Sequence, residues 1–367
     1  MQFVDVTVPG GPAREYEVVI GVELPRGAAD DLVRWQQPPR WAIVTDSNVA
    51  PLYGEPLAAA LRDAGARADC LVFPAGEEAK TRETVIDVQD RLIDLGHGRD
   101  SWLVAVGGGV VGDLGGFVAA TLFRGIPYVQ VPTTLLAMVD SSVGGKTGVD
   151  TPAGKNLVGA FLQPRRVIAD LGSLASLPRE EIAAGLAEVI KYGVILDAVL
   201  FQALEAELID AALACDEAAL ARIVSRSCDL KAAVVAADET EAGYRQILNF
   251  GHTVGHAIEA ERAFGLRHGE AIAIGMVAEA RLAHRKLGAA AGLADRIAAL
   301  CARAGLPTEV PEDCDVDALV EAAFRDKKTR DGTIRCALPA MLGVMGDHHG
   351  EHGIPVEPAE LAEAMRG

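Results

Sequence analysis

Short apolar runs alternate with amphipathic stretches along the first half of the chain. Each run is short and is followed by turn residues, which predicts a buried strand. The predicted strands are residues 41–45, 71–73, 102–106 and 128–131. Helical spacing of the apolar positions appears at residues 57–64 and again at 81–95, where Gly96 is the predicted stop. Strands that alternate with helices predict a parallel α/β sheet.

The second half of the chain has a different pattern. From about Arg179 onward it is rich in Ala, Leu and Glu, and its apolar positions have helical spacing with few strand signals. The predicted helices are residues 180–192, 198–208, 218–237, 244–263, 269–286 and 291–304. We therefore predict an α/β domain over residues 1–177, followed by an all-α domain over residues 178–367.

Composition excludes several classes of protein. Half of the 367 residues are hydrophobic, which is enough for a sizeable core and argues against a disordered chain. The 34 basic and 52 acidic residues give a net charge of 34 − 52 = −18. Nucleic acids and anionic membranes attract basic surfaces, so we expect neither as a partner. A local cationic pocket for a small anion remains compatible with this charge.

The six cysteines point to a reducing compartment. They are scattered, form no C-x-x-C pair and are too sparse for a disulfide scaffold. The first residues lack the basic and apolar regions of a signal peptide, and no stretch has the pattern of a membrane span. We therefore expect a cytoplasmic protein.

A glycine-rich segment follows the predicted strand 102–106. Gly107, Gly109 and Gly112 form the pattern G-x-G-x-x-G, which lets backbone amides approach a pyrophosphate at a helix N-terminus. The acidic residue that usually follows about 20 positions later is missing, so a simple tight turn remains an alternative. Asp46 and Asn48, after an earlier strand, could bind a ribose or adenine, although helix capping explains them more simply.

A second segment, residues 140–147, is similar to a phosphate-binding P-loop. The P-loop requires glycine where this chain has Asp140, so we do not predict nucleoside triphosphate binding. Lys146 is predicted to project from this loop, and Lys155 with Asn156 follows a second turn. Together with Arg124, these lysines would suit a phosphate or a carboxylate, while each of them alone could be an ordinary solvated residue.

The most specific local pattern is a row of polar residues in the predicted helix 244–263. Arg245, Asn249, His252 and His256 are spaced 4, 3 and 4 apart, which would place all four on one helix face. His268 follows at the start of the next predicted helix. Histidines at i and i+4 with a third ligand suit Zn²⁺ with an open coordination position. The H-E-x-x-H pattern of metallopeptidases is absent, and hydrogen-bonded core histidines are the simpler alternative.

Charged pairs in other helices add candidates. Glu188 and Lys191 lie at i and i+3 on an otherwise apolar helix, a spacing that also suits a surface ion pair. Lys327 and Lys328 follow Asp326 in what is predicted to be a solvated turn. The histidine-rich segment 347–352 lies in glycine-rich surroundings and suits adventitious metal binding better than catalysis.

Taken in order, these motifs resemble the 3-dehydroquinate synthases of the sugar phosphate cyclase family. The resemblance extends from about Trp41 to Gly343 and includes the segments 107–116, 131–136, 140–148, 187–191 and 249–257. It implies an N-terminal Rossmann-like domain that binds NAD⁺ and a helical C-terminal domain that binds metal and substrate, with the active site in the cleft between them. It also implies a homodimer, in which Arg124 reaches the substrate phosphate across the interface.

The resemblance assigns roles to individual residues. It implies that Glu188, His252 and His268 hold a divalent metal, Zn²⁺ or Co²⁺. The implied NAD⁺ contacts are Asp46, Asn48, Glu77, Lys80, Gly108, Gly109, Asp113, Thr133 and Thr134. The implied catalytic residues are Lys146, Lys155, Asn156, Lys191, Lys231, Arg245, Asn249 and His256. Substrate contacts are implied for Arg124, Asp140, Lys146, Asn156, Arg245 and one of Lys327 and Lys328.

The reaction implied by the resemblance converts 3-deoxy-D-arabino-heptulosonate 7-phosphate to 3-dehydroquinate and phosphate, with NAD⁺ regenerated in each turnover. Two alternatives stay close to it: a sister cyclase acting on sedoheptulose 7-phosphate or an amino-heptulosonate, and a metal-dependent polyol dehydrogenase. The predicted phosphate-binding cluster of Lys146, Lys155, Asn156 and Arg245 favours the cyclases. A protein that only binds NAD⁺ or senses metal is the alternative from another class, and the full set of acids, bases and cations disfavours it.

Overall fold

The protein is described by a computed structural model over residues 1–7, 15–261, 265–325 and 333–367. Its chain divides into two compact units. The first unit is Met1–Leu177 together with Leu220–Ala236, and the second is Pro178–Ala219 together with Ala237–Gly367. The sequence pattern does not reveal that Leu220–Ala236 belongs to the first unit, because this segment has the same helical spacing of apolar residues as the helices before and after it. Within the described residues, no helix is both long and apolar enough to cross a membrane.

The first unit alternates strands and helices. Its strands are β1 (Gln2–Thr7), β2 (Glu15–Ile20), β3 (Trp41–Asp46), β4 (Ala68–Phe73), β5 (Trp102–Gly107), β6 (Tyr128–Pro132), β7 (Lys146–Thr151), β8 (Gly154–Phe161) and β9 (Arg166–Ala169). Its helices are α1 (Arg26–Trp35), α2 (Glu55–Asp63), α3 (Arg82–Asp94), α4 (Gly109–Thr121) and most of α8 (Glu217–Ala237).

Seven of these strands form one sheet in the order β1-β2-β9-β6-β5-β3-β4. Only the pair β1 and β2 is antiparallel, and the other neighbours are parallel. Successive residues of β3 belong to opposite faces: Ala42 and Val44 lie in one hydrophobic core, Trp41 and Ile43 in another. Burial on both faces explains why the strand is continuously apolar, and it confirms the predicted α/β domain.

The strands predicted at 41–45, 71–73, 102–106 and 128–131 correspond to β3, β4, β5 and β6. The helix predicted at 81–95 is α3, where the Thr81 hydroxyl accepts the backbone N–H of Thr84 at 3.2 Å as an N-cap. Gly96 follows this helix with a left-handed φ of 78°. The prediction that Lys146 and Lys155 lie on loops is wrong, because both lie on the antiparallel hairpin β7–β8.

The second unit is largely helical. Its helices are α5 (Arg179–Ile195), α6 (Ala198–Ala203), α7 (Ile209–Leu213), α9 (His252–Glu261), α10 (His268–Leu287), α11 (Leu293–Ala304), α12 (Val316–Arg325) and α13 (Pro358–Arg366). Short strands β10 (Ile334–Ala337), β11 (Pro339–Met341), β12 (Val344–Met345) and β13 (Gly353–Val356) form the pairs β10–β13 and β11–β12.

The prediction of one helix over residues 244–263 is wrong. The segment Tyr244–Asn249 is a 3₁₀ helix, Phe250 is extended with ψ 128°, and α9 begins only at His252. Gly251 between them has a left-handed φ of 80°, which glycine adopts without steric cost. The break separates Arg245 and Asn249 from the helix face of His252 and His256. Residues 262 and 263 of the predicted helix lie outside the described residues.

Candidate functional site

Several predicted cofactor residues of the first unit lie at the carboxyl edge of its sheet. Asp46 ends β3, Gly107 ends β5, and Thr133 directly follows β6. Because β5 pairs in parallel with both β3 and β6, these three strand ends are neighbours. The Thr133 amide donates to the Gly107 carbonyl at 2.9 Å. Ligands of doubly wound sheets bind outside this edge.

The glycine-rich turn leads directly into a helix, as its pattern predicts. Gly108 is the N-cap residue of α4, so the first amides of a 13-residue helix face this edge of the sheet. A Cβ atom on Gly108 would lie 3.2 Å from Cγ2 of Thr134, and one on Gly109 would lie 3.3 Å from Oγ of Ser141. Glycine therefore keeps open a space that side chains would fill, which suits a pyrophosphate close to the backbone.

Asp46 closes the turn after β3. Its Oδ1 accepts the amides of Asn48 at 2.8 Å and Val49 at 2.9 Å, so the capping role weighed from the sequence is present in the structure. Asn48 is exposed on this turn. Binding of a ribose or adenine by either residue remains a prediction.

A buried lysine gathers several predicted residues of the first unit. Lys80 Nζ donates to Asp113 Oδ2 and to Asn156 Oδ1, both at 2.7 Å, and lies 3.8 Å from Glu77 Oε1. Only 3% of Lys80 is exposed. Burial alone lowers the pKa of Lys80, but the carboxylates of Asp113 and Glu77 raise it further than burial lowers it. The lysine is therefore a fixed positive charge beside the glycine-rich helix.

The remaining predicted residues of this unit differ in their surroundings. Lys231 of α8 donates to the Asp140 carboxylate and to its backbone carbonyl, both at 2.7 Å. Lys146 is exposed at the start of β7, and Lys155 is half-buried in β8. Arg124 is exposed on a turn where its φ is 69°, a left-handed value that non-glycine residues seldom adopt.

Three side chains of the second unit meet as the predicted metal ligands. Glu188 of α5, His252 of α9 and His268 of α10 each offer one ligand atom, and these atoms lie within 4.8 Å of one another. Nε2 of His252 is 3.6 Å and Nε2 of His268 is 3.5 Å from Glu188 Oε1. Two imidazoles and one carboxylate are a catalytic Zn²⁺ donor set that leaves a coordination position open.

Both imidazoles are oriented for coordination through Nε2. Nδ1 of His252 is 3.1 Å from the Phe250 carbonyl, which can only accept, so Nδ1 carries the proton. Nδ1 of His268 is 3.3 Å from Glu259 Oε1. A carboxylate or carbonyl behind each histidine is the usual support of a metal ligand, and the donor set therefore fits a divalent metal.

The charge around His268 is consistent with this assignment. Burial lowers the pKa of His268, but hydrogen bonds with Glu188 and Glu259 raise it to about 9. A divalent cation would replace the proton that these two carboxylates stabilise. Lys191 also forms a short ion pair with Glu188 and is almost completely buried.

Close helix packing brings the three ligands together. A Cβ on Gly269, next to His268, would lie 2.1 Å from the Ala184 carbonyl, so α10 starts directly against the backbone of α5. A Cβ on Gly275 would lie 1.9 Å from the Gly251 carbonyl, so α10 also lies directly against the start of α9. Glycines therefore set the distances between the helices that carry Glu188, His252 and His268.

The other predicted residues of this unit surround the same helices. Arg245 is 2% exposed; its amide donates to Asp238 Oδ2 at 3.0 Å and its guanidinium to the Glu239 carbonyl at 2.6 Å. Asn249 donates to Glu241 Oε1 at 2.8 Å. The ring of His256 lies 5.2 Å from that of His252 and 6.2 Å from that of His268.

Sequence reasoning missed Glu259, although its position could have revealed it. Glu259 follows His252 and His256 at the spacing i, i+4, i+7 and is 5% exposed. Lys327 and Lys328 lie outside the described residues. In the histidine-rich segment, His352 packs against Tyr244 with ring centroids 5.5 Å apart, and its Nδ1 donates to the Gly346 carbonyl at 3.0 Å.

Comparison with known proteins decides the family. The family model described as the 3-dehydroquinate synthase N-terminal domain matches residues 70–184, and the C-terminal model matches residues 185–329. The chain belongs to the 3-dehydroquinate synthase family. A 3-dehydroquinate synthase of Synechococcus sp. is 52% identical over 308 residues, which cover 82% of this chain and 82% of the relative.

Two solved structures of related synthases have the same fold as this chain over nearly its whole length. A 2-deoxy-scyllo-inosose synthase complexed with carbaglucose-6-phosphate, NAD⁺ and Co²⁺ has a TM-score of 0.90 at 29% identity, covering 100% of this chain and 99% of its own. A 2-epi-5-epi-valiolone synthase from Streptomyces hygroscopicus subsp. jinggangensis with NAD⁺ and Zn²⁺ bound has a TM-score of 0.87 at 29% identity, covering 98% of each chain.

Proposed function

We propose that this chain is a 3-dehydroquinate synthase that converts 3-deoxy-D-arabino-heptulosonate 7-phosphate to 3-dehydroquinate and phosphate. The observation that carries the proposal is the set of Glu188, His252 and His268, with Glu188 fully buried, in a chain of this family. The cofactors are NAD⁺ and a divalent metal, Zn²⁺ or Co²⁺, in agreement with the two sister enzymes.

Each cofactor has residues that suit it. Glu188, His252 and His268 would hold the metal, while the turn at Gly108 and the residues around Lys80 would hold NAD⁺. When bound, the metal supplies a Lewis acid for substrate hydroxyls, and NAD⁺ supplies a hydride acceptor that is restored within the same turnover.

The substrate carries a phosphate and a carboxylate, and we assign cations of the chain to these groups. In the first unit we propose Arg124, Lys146, Lys155 and Lys231, with Asp140 and Asn156 as hydrogen-bonding residues. In the second unit we propose Lys191, Arg245, Asn249 and His256, together with Lys327 or Lys328. Lysine and arginine suit these anions because their hydrogen bonds to them are charge-assisted.

Carboxylates keep several of these cations in place before the substrate arrives. Lys231 is held by Asp140 and Lys191 by Glu188, and Asp113 holds Lys80 of the proposed NAD⁺ site in the same way. A buried charge without a partner would be expensive or would lose its proton. The pairs therefore place a carboxylate beside each of these buried lysines in a protein whose net charge is −18. Proton transfer at the substrate is assigned to His256, whose ring lies beside the two histidine ligands.

The proposal includes a homodimer and a cytoplasmic setting. Exposure of Arg124 on a strained turn supports a role toward a second copy of the chain. All six cysteines lie in the described residues and none of them is in a disulfide bond there, which supports a reducing compartment.

The test is phosphate release from the heptulosonate phosphate by metal-loaded protein with substoichiometric NAD⁺. Many turnovers per NAD⁺, with 3-dehydroquinate as the organic product, are expected. A matched His252→Ala variant should lose nearly all of this activity, and full retention would refute the metal site. Without phosphate release the proposed substrate is wrong. Sedoheptulose 7-phosphate then tests the sister cyclases, and stoichiometric NADH from simple polyols tests a dehydrogenase.

A further inference from the structure

A completely buried carboxylate of α10 binds the start of α9. Glu279 is 0% exposed. Its Oε2 accepts the amide of Gly251 at 2.7 Å, and its Oε1 accepts the amides of Thr253 at 3.0 Å and Val254 at 3.2 Å. These donors lie 28, 26 and 25 residues away in the chain, so the contact joins two helices.

A carboxylate at this place stabilises the N-terminus of α9. The first amides of a helix have no carbonyl partner within it, and a negative charge there also interacts well with the helix dipole. Such caps are usually supplied by the residue just before the helix. Here Gly251 and Phe250 precede α9 and have no side-chain acceptor, so Glu279 supplies the cap from α10.

The three capped amides lie on both sides of a metal ligand. Gly251 and Thr253 are the chain neighbours of His252, and the His252 imidazole is itself bound to the Phe250 carbonyl. The backbone that carries this ring is therefore fixed by Glu279. Helix α10 also carries His268 at its first position, so a single helix holds one ligand directly and the other through Glu279.

We propose that Glu279 is a positioning residue of the metal site, which fixes His252 relative to His268 without contacting the metal. The inference rests on the metal site of the proposed function. It adds a residue 11 positions after His268 on α10, in a helix that is buried along most of its length. Residues that support metal ligands typically change metal affinity 10–100-fold when replaced, so a measurable effect is expected.

The decisive comparison is Co²⁺ binding by the parent, Glu279→Gln and a control, Leu282→Ala. Glutamine keeps the volume but turns an amide NH₂ toward N–H donors. We expect a Co²⁺ Kd raised about 10–100-fold and altered visible absorption of the bound Co²⁺. Leu282 is equally buried on the same helix, so its truncation should lower the melting temperature while leaving the Co²⁺ Kd and spectrum unchanged.

The outcomes distinguish a failure of the proposed metal site from a failure of the proposed role of Glu279. A parent protein that binds no Co²⁺ would overturn the metal site and this inference with it. A parent that binds Co²⁺ and a Glu279→Gln variant with the same affinity and spectrum would overturn the role of Glu279 alone. An equal loss of affinity in Leu282→Ala would do the same, because it would show that general destabilisation is sufficient.

A second measurement needs no variant. In the metal-free parent, the amides of Gly251, Thr253 and Val254 should exchange hydrogen slowly, because Glu279 holds them. Fast exchange of these amides, with slow exchange in the middle of α10, would contradict the proposal even where Glu279→Gln does not fold.

Discussion

Replacing Gly275 by alanine should separate two of the helices that carry metal ligands. An added Cβ would lie 1.9 Å from the Gly251 carbonyl oxygen, 2.8 Å from the Gly251 carbonyl carbon and 2.9 Å from the Gly255 amide nitrogen. All three atoms belong to the backbone, so no side chain can rotate to make room. The contact can be relieved only by moving α9 away from α10.

The size of the movement follows from these distances. A carbon and a carbonyl oxygen approach to about 3.3 Å, so the helices must separate locally by about 1.4 Å. Metal–ligand distances tolerate only about 0.2 Å, and His252 and His268 lie on the two helices that move. Alanine gains about 1 kcal/mol over glycine in an open helix, but overpacking costs about 1–3 kcal/mol or more. We expect net destabilisation and a metal affinity reduced about 10–100-fold.

The assay combines urea unfolding with competition titration of Zn²⁺. Gly292→Ala is the matched control, because its added Cβ would meet nothing within 4 Å and its φ is not left-handed. That control should match the parent in Zn²⁺ Kd, with at most a small loss of stability because Gly292 is the N-cap residue of α11. A Gly275→Ala variant that is as stable as the parent and binds Zn²⁺ equally well would refute the close approach of the two helices.

Three further predictions test other contacts. Glu259→Gln should raise the Zn²⁺ Kd about 10–100-fold with little change in melting temperature, because it weakens the support of His268; an unchanged Kd would contradict this. Lys80→Met should lower the unfolding free energy by about 1–3 kcal/mol, because Asp113 loses its cation, and it should also weaken NAD⁺ binding. A urea titration measures the first effect and an NAD⁺ titration the second. Burial lowers the pKa of His97 below its usual 6.5, so its contribution to stability is complete above that pH and is lost as the pH falls below it. Urea unfolding of His97→Gln should therefore depend less on pH between about 7 and 5.5 than that of the parent, and equal slopes would be the contrary result.

Local pattern was sufficient for the central strands and most helices, because burial on both faces of β3 and β5 requires continuous apolar runs. It was not sufficient for the hairpin β7–β8. The exposed residues of β8 include two glycines and an asparagine, so neither alternation nor β-branched enrichment marks it as a strand. Whether β8 forms a strand depends on its pairing with β7, and the pattern within β8 alone carries no information about that pairing.

The proposed metal ligands could be identified from the sequence as residue types but not as a geometry. The density of histidines pointed to His252 and His268, whereas Glu188 was assigned only through the family resemblance, because its spacing from Lys191 also suits a surface ion pair. In the structure Glu188 is 0% exposed and lies against both histidines. The position of Glu188 against the two histidines depends on helix packing at Gly269 and Gly275. The spacing of residues within one helix cannot reveal such packing.

The incorrect prediction of one helix over residues 244–263 concerns the segment on which the metal site depends. In an unbroken helix the amides of Gly251 and Thr253 would bond to carbonyls four residues earlier, and α9 would have no free N-terminus there. The left-handed Gly251 ends that ladder, and the amides become available to Glu279. The same break frees the Phe250 carbonyl to accept from His252. A local departure from helical preference thus gives the histidine its orientation, and the buried carboxylate of α10 compensates for the lost hydrogen bonds.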